Sequence, residues 1–316
     1  MQPRRHTGSV SLSQTRRPSL VVIGNFDGVH RGHRAVIESA LRLSDEQSLR
    51  PLVLTFHPHP AEVLGRGARP VLTSIDRKVE LLLALGERLE VVVEPFTLEL
   101  SRLSPREFAR EVLGERLDAK VVIVGENFRF GHQRAGDLSA LRALGQELGF
   151  DAHAEPLVGD ELGLFSSTRA REALELGDLA SVQRCLGRPH SLSGRVVHGA
   201  ARGRTIGFPT ANMADVAEAT PPYGVYACRV TREGAVGEAA ALGPAVLNLG
   251  VRPTVQGGFS VEAHLLDFSG DLYDARLRVE LVARIRDEQR FGSVDALKQQ
   301  ITRDVATARE LLSAPG

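Results

Sequence analysis

The hydrophobic pattern of this chain changes its grammar once, at Gly187-Arg188-Pro189-His190, and that change commits it to two unlike halves. Before the break, β-branched runs alternate with helical patterns; after it, strand-like runs follow one another until a closing helix. The strand candidates of the first half are 20–23, 52–56, 89–93, 120–124 and 152–158. The first four are apolar without clean alternation, as in parallel strands buried on both faces. Between them, 32–43, 74–85, 104–113 and 137–148 repeat apolar residues at i, i+3 and i+4. One helix start is fully marked, with Ser104 as N-cap, Pro105 in the first turn and Glu107 completing a capping box. This half reads as α/β, a parallel sheet covered by helices. In the second half, 192–197, 225–230, 245–249, 261–266 and 277–285 have no helices between them, which predicts an antiparallel β-barrel. Val294, Leu297, Ile301, Val305, Ala308 and Leu312 then form one stripe of the closing helix. At 316 residues the chain is long enough for two cores, placed here in domains 19–186 and 190–316.

The charge balance narrows the partners. With 39 basic and 39 acidic residues the chain has no overall field to hold nucleic acid or an anionic membrane surface, so neither is expected as a partner. All the basic residues but Lys78, Lys120 and Lys298 are arginine, a skew attributed to codon usage and given no functional weight. Cys185 and Cys228 stand far apart, outside any C-x-x-C or zinc spacing, so neither a disulfide framework nor a structural zinc is expected. No apolar run approaches the roughly 18 residues of a membrane helix, and the N-terminus lacks a signal-peptide core, which predicts a cytoplasmic protein. Residues 1–18 are rich in Arg, Ser, Gln and Pro without periodicity and read as a disordered arm. The homo-oligomeric state is left open.

Two glycine-rich segments carry the chemistry. In GNFDGVHRGH (24–33), Gly24, Gly28 and Gly32 recur every four residues between a strand and a helix, where backbone N–H groups point at an anion. His30 and His33, three apart, would share a face of the first helical turn and donate to phosphate oxygens. The spacing is not G-x-G-x-x-G, and no Walker A sequence exists. A helix-capping turn with surface histidines is the plain alternative. Two further motifs, TFHPHP (55–60) and GENFRFG (125–131), fall at carboxyl ends of parallel strands, where ligands bind in open α/β sheets. His57, His59 and Asp27 could instead form a metal cluster, although no ordered ligand spacing supports it. Ser166, Ser167, Thr168 and Arg171 supply hydroxyls at a helix start and a cation, suited to pyrophosphate or simply to capping.

In RGRTIGFPTAN (202–212), Thr210 and Asn212 project from one face of a strand beginning after Pro209. A hydroxyl and an amide oxygen suit hard, octahedral Mg²⁺ together with ATP oxygens and water. Gly194, Gly199, Gly203 and Gly207 allow close approach of a nucleotide, or merely make a glycine-rich barrel turn. Glu262 sits in an otherwise apolar strand; it faces solvent, or it faces the lumen or mouth of the barrel as a base.

As a set, GNFDGVHRGH, TFHPHP, LTSIDRK (72–78), GENFRFG and SSTRAR (166–171) resemble the nucleotidyltransferase superfamily with an H-x-G-H motif, and within it the FMN adenylyltransferase module of bacterial bifunctional FAD synthetases. The second half, through SGRVVHGAARGRTIGFPTAN, PPYGVYA, NLGVRPT and VEAHLLDFSGDLY, resembles riboflavin kinase. The resemblance implies a Rossmann-like domain followed by a kinase barrel. It implies that riboflavin and ATP give FMN, and that FMN and ATP give FAD and pyrophosphate, both with Mg²⁺. It lays ATP phosphates over Gly24, Phe26, Asp27, Gly28, His30 and His33, with Asn127 holding nucleotide or flavin phosphate beside His57, His59 and Arg129. Ser166, Ser167, Thr168 and Arg171 would stabilise the leaving pyrophosphate. In the kinase it assigns Gly203, Gly207, Thr210 and Asn212 to Mg-ATP, Glu262 to proton abstraction from the ribityl 5′-hydroxyl, and Arg290 and Phe291 to the border of the flavin ring. Some relatives place an arginine two residues before the paired serines, where this chain has Leu164. A kinase with weak or lost adenylyltransferase is therefore one alternative, and a flavin or nucleotide sensor without turnover is another.

Overall fold

A computed structural model describes the chain except for residues 1–3, 16, 66, 68, 200–201, 235–238, 252–258 and 314–316. Residues 200–201 of the glycine-rich segment and the 252–254 end of NLGVRPT therefore lie outside the described residues. The chain divides into two compact units, Met1–Arg69 with Ile75–Ser166, and Pro70–Ser74 with Ser167–Gly316.

The first unit is built on strands β1 (Arg5–Thr7), β2 (Ser19–Ile23), β3 (Arg50–His57), β4 (Glu90–Pro95), β5 (Ala119–Gly125) and β6 (Asp151–Glu155). They form one sheet in the order β1-β4-β3-β2-β5-β6, and every pairing is parallel. Its helices are α1 (Arg31–Glu46), α2 (Pro60–Val63), α3 (Ile75–Leu83), α4 (Leu98–Arg102), α5 (Pro105–Glu107) and α6 (Leu138–Leu148), with a π-helical stretch at Phe108–Arg116. All of β2 is buried, and its alternation divides the core. Leu20 and Val22 pack with Ile37 of α1 and Val79 of α3, whereas Val21 and Ile23 pack with Val112 and Leu141. Side chains of this size each contribute about 1.5–3 kcal/mol when removed from water, so apolar runs without polar alternation fit no other place. The capping box forms as the sequence predicts: Glu107 N donates to Ser104 Oγ at 3.2 Å, and Ser104 N donates to Glu107 Oε2 at 2.8 Å. A short hairpin, β7 (Gly159–Asp160) with β8 (Gly163–Leu164), leads to Ser166.

The N-terminal arm is a correction to the sequence reading. Residues 5–7 are an edge strand on Val91–Val93, and Ser9–Thr15 is a 3-10 helix that buries Leu12 in the core. Arg4 Nε donates to Leu89 O at 3.1 Å and Nη2 to Leu83 O at 2.8 Å. Main-chain pairing and a guanidinium on carbonyls order this segment, and neither leaves a hydrophobic period.

The second unit begins with α7 (Ser167–Glu175) and α8 (Leu179–Leu186). Then come β9 (His190–Val197), α9 (Arg202–Thr205), β10 (Ala211–Ala214), β11 (Gly224–Glu233), β12 (Ala239–Val251), β13 (Phe259–Leu265), β14 (Arg276–Asp287) and α10 (Val294–Ser313). The strands close into an antiparallel barrel in the order β10-β13-β12-β11-β14-β9. Closure requires β10, which is four residues long and too short to show a period of its own. On β11 and β12, Val225, Ala227 and Val246 pack with Ala308 of α10, so this is the outer, helix-covered face. Their alternates Tyr226, Cys228, Leu247 and Leu249 are buried on the lumen side.

A buried ion pair seats α10, with the Arg286 Nε and Nη2 atoms 2.8–3.1 Å from the Asp304 carboxylate, and an exposed pair joins Arg309 to Asp267 at 2.7 Å. Asp304 is only 3% exposed. The stripe foreseen on this helix begins later than expected, because Val294 is 56% exposed and the packed residues are Val305, Ala308 and Leu312. Asp304→Ala leaves a guanidinium without its carboxylate on a half-covered face, and the barrel should lose about 2–4 kcal/mol. Urea denaturation of the full chain measures this loss; an unchanged midpoint would show that the remaining contacts of α10 seat it without this pair.

Candidate active sites

In the first unit the site grows from the turn after β2. Gly24 N donates to Leu54 O, and then Phe26 (φ 48°), Gly28 (φ 80°) and Val29 (φ 39°) adopt the left-handed region. That conformation is strained for Phe and Val, and it is held because both side chains are buried, at 3% and 1% exposure. A Cβ on Gly24 would meet the Phe26 ring at 2.9 Å, so the ring occupies the space that a side chain would need. His30 caps α1, its Nδ1 accepting from His33 N at 3.3 Å, which leaves the proton of the neutral ring on Nε2. The His30 and His33 rings stack at 3.5 Å. Gly32 permits this, since a Cβ there would stand 3.1 Å from His30 Nδ1 and 3.2 Å from Phe165 O.

The electrostatics suit an incoming anion. His33 is held well below the ordinary imidazole value, first by burial and then by the charges of His30 and Lys78. Its Nδ1 is buried without a hydrogen-bond partner. Lys78 is 5% exposed; burial lowers its ammonium, and the charge of Asp27, itself 3% exposed, opposes that shift. Lys78 lies in LTSIDRK, yet the sequence reading gave it no role; a lone lysine on the buried side of α3 in an arginine-rich chain was the available signal.

A cavity of about 420 Å³ opens beside Gly24 and Asn25. Phe56, Phe96, Phe108, Phe128 and Phe130 line it, with His59, Asn127 and Arg129 among the polar groups. Phe128 and Phe130 stack at 5.5 Å, while Phe56 meets Phe96 edge-on at 5.9 Å. His59 caps α2 by accepting from Ala61 N at 3.1 Å, and Arg129 pairs with Asp137 at 2.9 Å. His57 is exposed and absent from the lining. Among the described residues no cluster of metal ligands forms, so His57, His59 and Asp27 do not converge as one. Ser166 ends the first unit, whereas Ser167, Thr168 and Arg171 lie on α7 in the second. Leu164 is 51% exposed on β8.

In the second unit the pleat and register assemble the site. Asn212 of β10 pairs with Glu262 of β13, and Glu262 pairs with Asn248 of β12. Residues paired in this way share a face, and Asn248 lies on the face of Val246 and Val225, which α10 covers. Glu262 therefore points to the outer, helix side and not into the lumen, which Val261 and Ala263 fill. It is half-buried there. A Cβ on Gly199 would fall 2.4 Å from Asn212 Nδ2 and 2.7 Å from Oδ1, so this glycine makes the cradle in which the amide sits. Thr210 lines a cavity of about 410 Å³ with Arg204, Pro209, Asp271 and Tyr273; Asn212 and Glu262 are not in that lining. Gly203 lies under Thr210, a Cβ there being 3.3 Å from its Oγ1, and Gly207 has φ 90°. Phe291 lies near Arg286, 5.6 Å from ring centre to guanidinium carbon, and Arg290 is exposed.

Two family models match the chain: FAD synthetase over residues 12–169 and riboflavin kinase over residues 186–312. A bifunctional riboflavin kinase/FMN adenylyltransferase of Escherichia coli (strain K12) is 41% identical over 306 residues, covering 96% of each chain. One of Pseudomonas fluorescens is 38% identical, again with 96% of each chain covered. Among solved structures, a chain from Streptococcus pneumoniae described as a macrolide-efflux protein superposes with a TM-score of 0.81 at 28% identity, over 96% of this chain and 98% of that one. No helix among the described residues of the present chain is long and apolar enough to cross a membrane.

The depressed His33 gives a test by pH. The folded state refuses a proton that the unfolded chain accepts, so its stabilising contribution is complete above an ordinary imidazole value of about 6.5 and fades as pH falls towards the folded value. In NMR titration the His33 ring should stay neutral when exposed imidazoles have protonated. Lys78→Met, which removes a cation but keeps the bulk, should move the His33 midpoint upward; an unmoved midpoint would remove Lys78 from the site.

Proposed function

Because the chain belongs to the family of bifunctional riboflavin kinases/FMN adenylyltransferases, we propose that it divides the family's two reactions between residues 190–316 and 19–186, at the residues described above. The chain phosphorylates riboflavin to FMN and adenylylates FMN to FAD with release of pyrophosphate, using ATP in both steps. Its small-molecule partners are riboflavin, FMN, FAD and ATP.

In the kinase half, Glu262 takes the proton of the ribityl 5′-hydroxyl. The oxygen attacks the γ-phosphorus of ATP, the bond to the β-phosphate oxygen breaks, and ADP leaves. A base is useful because the nucleophile is a neutral alcohol, and it contributes on the order of 10² to 10⁴ in rate. The pairing of Glu262 with Asn212, beneath a glycine that leaves room for the amide, is the observation that carries this reading. Thr210 and Asn212 offer the oxygen donors that Mg²⁺ takes, and the Gly199 cradle leaves the Asn212 amide space to do so. Mg²⁺ bound there neutralises charge on the ATP phosphates. Arg204 and Tyr273 border the nucleotide side, and Phe291 borders the flavin side.

In the adenylyltransferase half, the phosphate of FMN is already ionised and attacks the α-phosphorus in line, so alignment and charge neutralisation matter more than a base. His30, His33 and the first N–H groups of α1 meet the ATP phosphates, supported by the neutral His33 ring and the buried Lys78. The aromatic cavity receives the isoalloxazine ring, with Asn127, His59 and Arg129 at its polar edge; its volume falls in the usual range for small-molecule sites. His57, exposed and outside that lining, has no part in this reading. Ser166, Ser167, Thr168 and Arg171 receive the leaving pyrophosphate, supported by hydroxyls and a cation at the start of α7. The working compartment is the cytoplasm, supported by ATP dependence and by two buried cysteines. The neutral overall charge supports no nucleic-acid partner.

Incubation with Mg-ATP and riboflavin, and separately with FMN, followed by chromatography of the flavins, tests the whole reading. FMN and then FAD are expected; absence of either product would remove the corresponding site. Asn212→Ala should abolish FMN formation and spare FAD formation from supplied FMN, and His33→Ala should do the reverse. Gly199→Ala displaces only the end of the Asn212 side chain, so it should lower FMN formation by about tenfold or more while FAD formation and thermal stability persist. Loss of both activities in either single-site variant would contradict two separate sites.

A further inference from the structure

Glu262 stands between two carboxamides, and the reading above uses only one of them. Across β10, β13 and β12 the paired residues run Asn212, Glu262, Asn248, all half-buried and all on the α10 side. Directly opposed residues in antiparallel strands have Cβ atoms about 4.5–5.5 Å apart, so either amide can reach the carboxylate. Among the described residues Glu262 makes no ion pair, and Asn248 makes no hydrogen bond to another protein group through its side chain. Among the described residues no arginine or lysine therefore pairs with the carboxylate. A carboxylate accepts hydrogen bonds only, and an amide brings two N–H donors. Two positions along β12, a Cβ on Gly250 would lie 3.5 Å from Asn248 Nδ2 and 2.5 Å from Glu288 Oε1, so the amide nitrogen and the Glu288 carboxylate flank the same glycine.

We infer that Asn248 is a positioning residue for the kinase reaction: from its place opposite Glu262 its N–H donors close on the carboxylate when the substrate hydroxyl is in place and aim it there, while Asn212 serves the nucleotide side. A neutral donor suits this role better than a cation, because a full positive charge would stabilise the carboxylate so strongly that it became a poor base. The division of labour also explains why two like residues flank one acid. The inference rests on the reading of Glu262 as the base, and it deepens that reading by naming the group that orients it.

A double-mutant cycle separates the two. Riboflavin phosphorylation is measured in the parent chain, Asn248→Ala, Glu262→Gln and the double variant, with FAD formation from FMN as an internal control. Asn248→Ala should lower kcat about tenfold to a hundredfold with KM for Mg-ATP changed less than twofold. In the Glu262→Gln background the same substitution should cost less than twofold, since a residue that acts through Glu262 has nothing left to aim. An unchanged kcat, an effect confined to KM, or the same fold-loss in both backgrounds would overturn the inference while leaving the base in place. Full turnover by Glu262→Gln would overturn the base and the inference together. If Asn248→Ala fails to bind riboflavin, Asn248→Asp keeps the shape without the N–H donors and is read by the same criteria.

Discussion

Strand register is the constraint on which the second unit depends. Side chains on a strand alternate faces, so Asn212, Glu262 and Asn248 meet only because β10, β13 and β12 pair in one register. Slipping β13 by one residue would turn Glu262 inward among side chains such as Leu247 and Leu249, which are fully buried, and would bring Val261 and Ala263 out. An unpaired carboxylate in an apolar lumen is strongly unfavourable, so the apolar alternates of β13 hold the acid where it is. Farther around the barrel, Val225 pairs with both Asn248 and Arg286, and Arg286 holds Asp304 of α10. One lateral row thus carries both the proposed base with its two amide neighbours and the anchor of α10.

The first unit solves a different problem with the same logic. Its central strands are buried on both faces and leave no surface for function, so chemistry moves to the loops at their carboxyl ends. The turn from Gly24 to His30 is strained, and buried Phe26 and Val29 keep it so. The N-terminus of α1 thereby presents a capping histidine stacked on a neutral one. Asp27 and Lys78, both buried, adjust the local charge without adding to the exposed surface.

Much of this was legible from the residues. Four strands of the sheet, the capping box at Ser104 and five of the six barrel strands follow from period and cap chemistry. Two features were not, and one more, the strand after Pro209, was legible only from a motif. The arm at 5–15 is ordered by main-chain pairing and by Arg4 on carbonyls, which leave no apolar pattern. β10 is too short to show alternation, and only the Pro-Thr-Ala-Asn motif hinted at it. The face of Glu262 could not be read, because alternation says which residues share a side but not which side is lumen.

The sequence by itself determined the two fold classes, the glycine-rich turns and the residue types available for two phosphate reactions. These are local properties, governed by backbone sterics, side-chain volume and period. Tertiary structure alone decided that Glu262 lies on the outer face of the barrel, that Asn248 lies opposite it, that Lys78 reaches His33 electrostatically and that His57 stands apart from the aromatic cavity. Each of these joins residues far apart in the chain, and their meeting depends on which strands pair and which helix covers them.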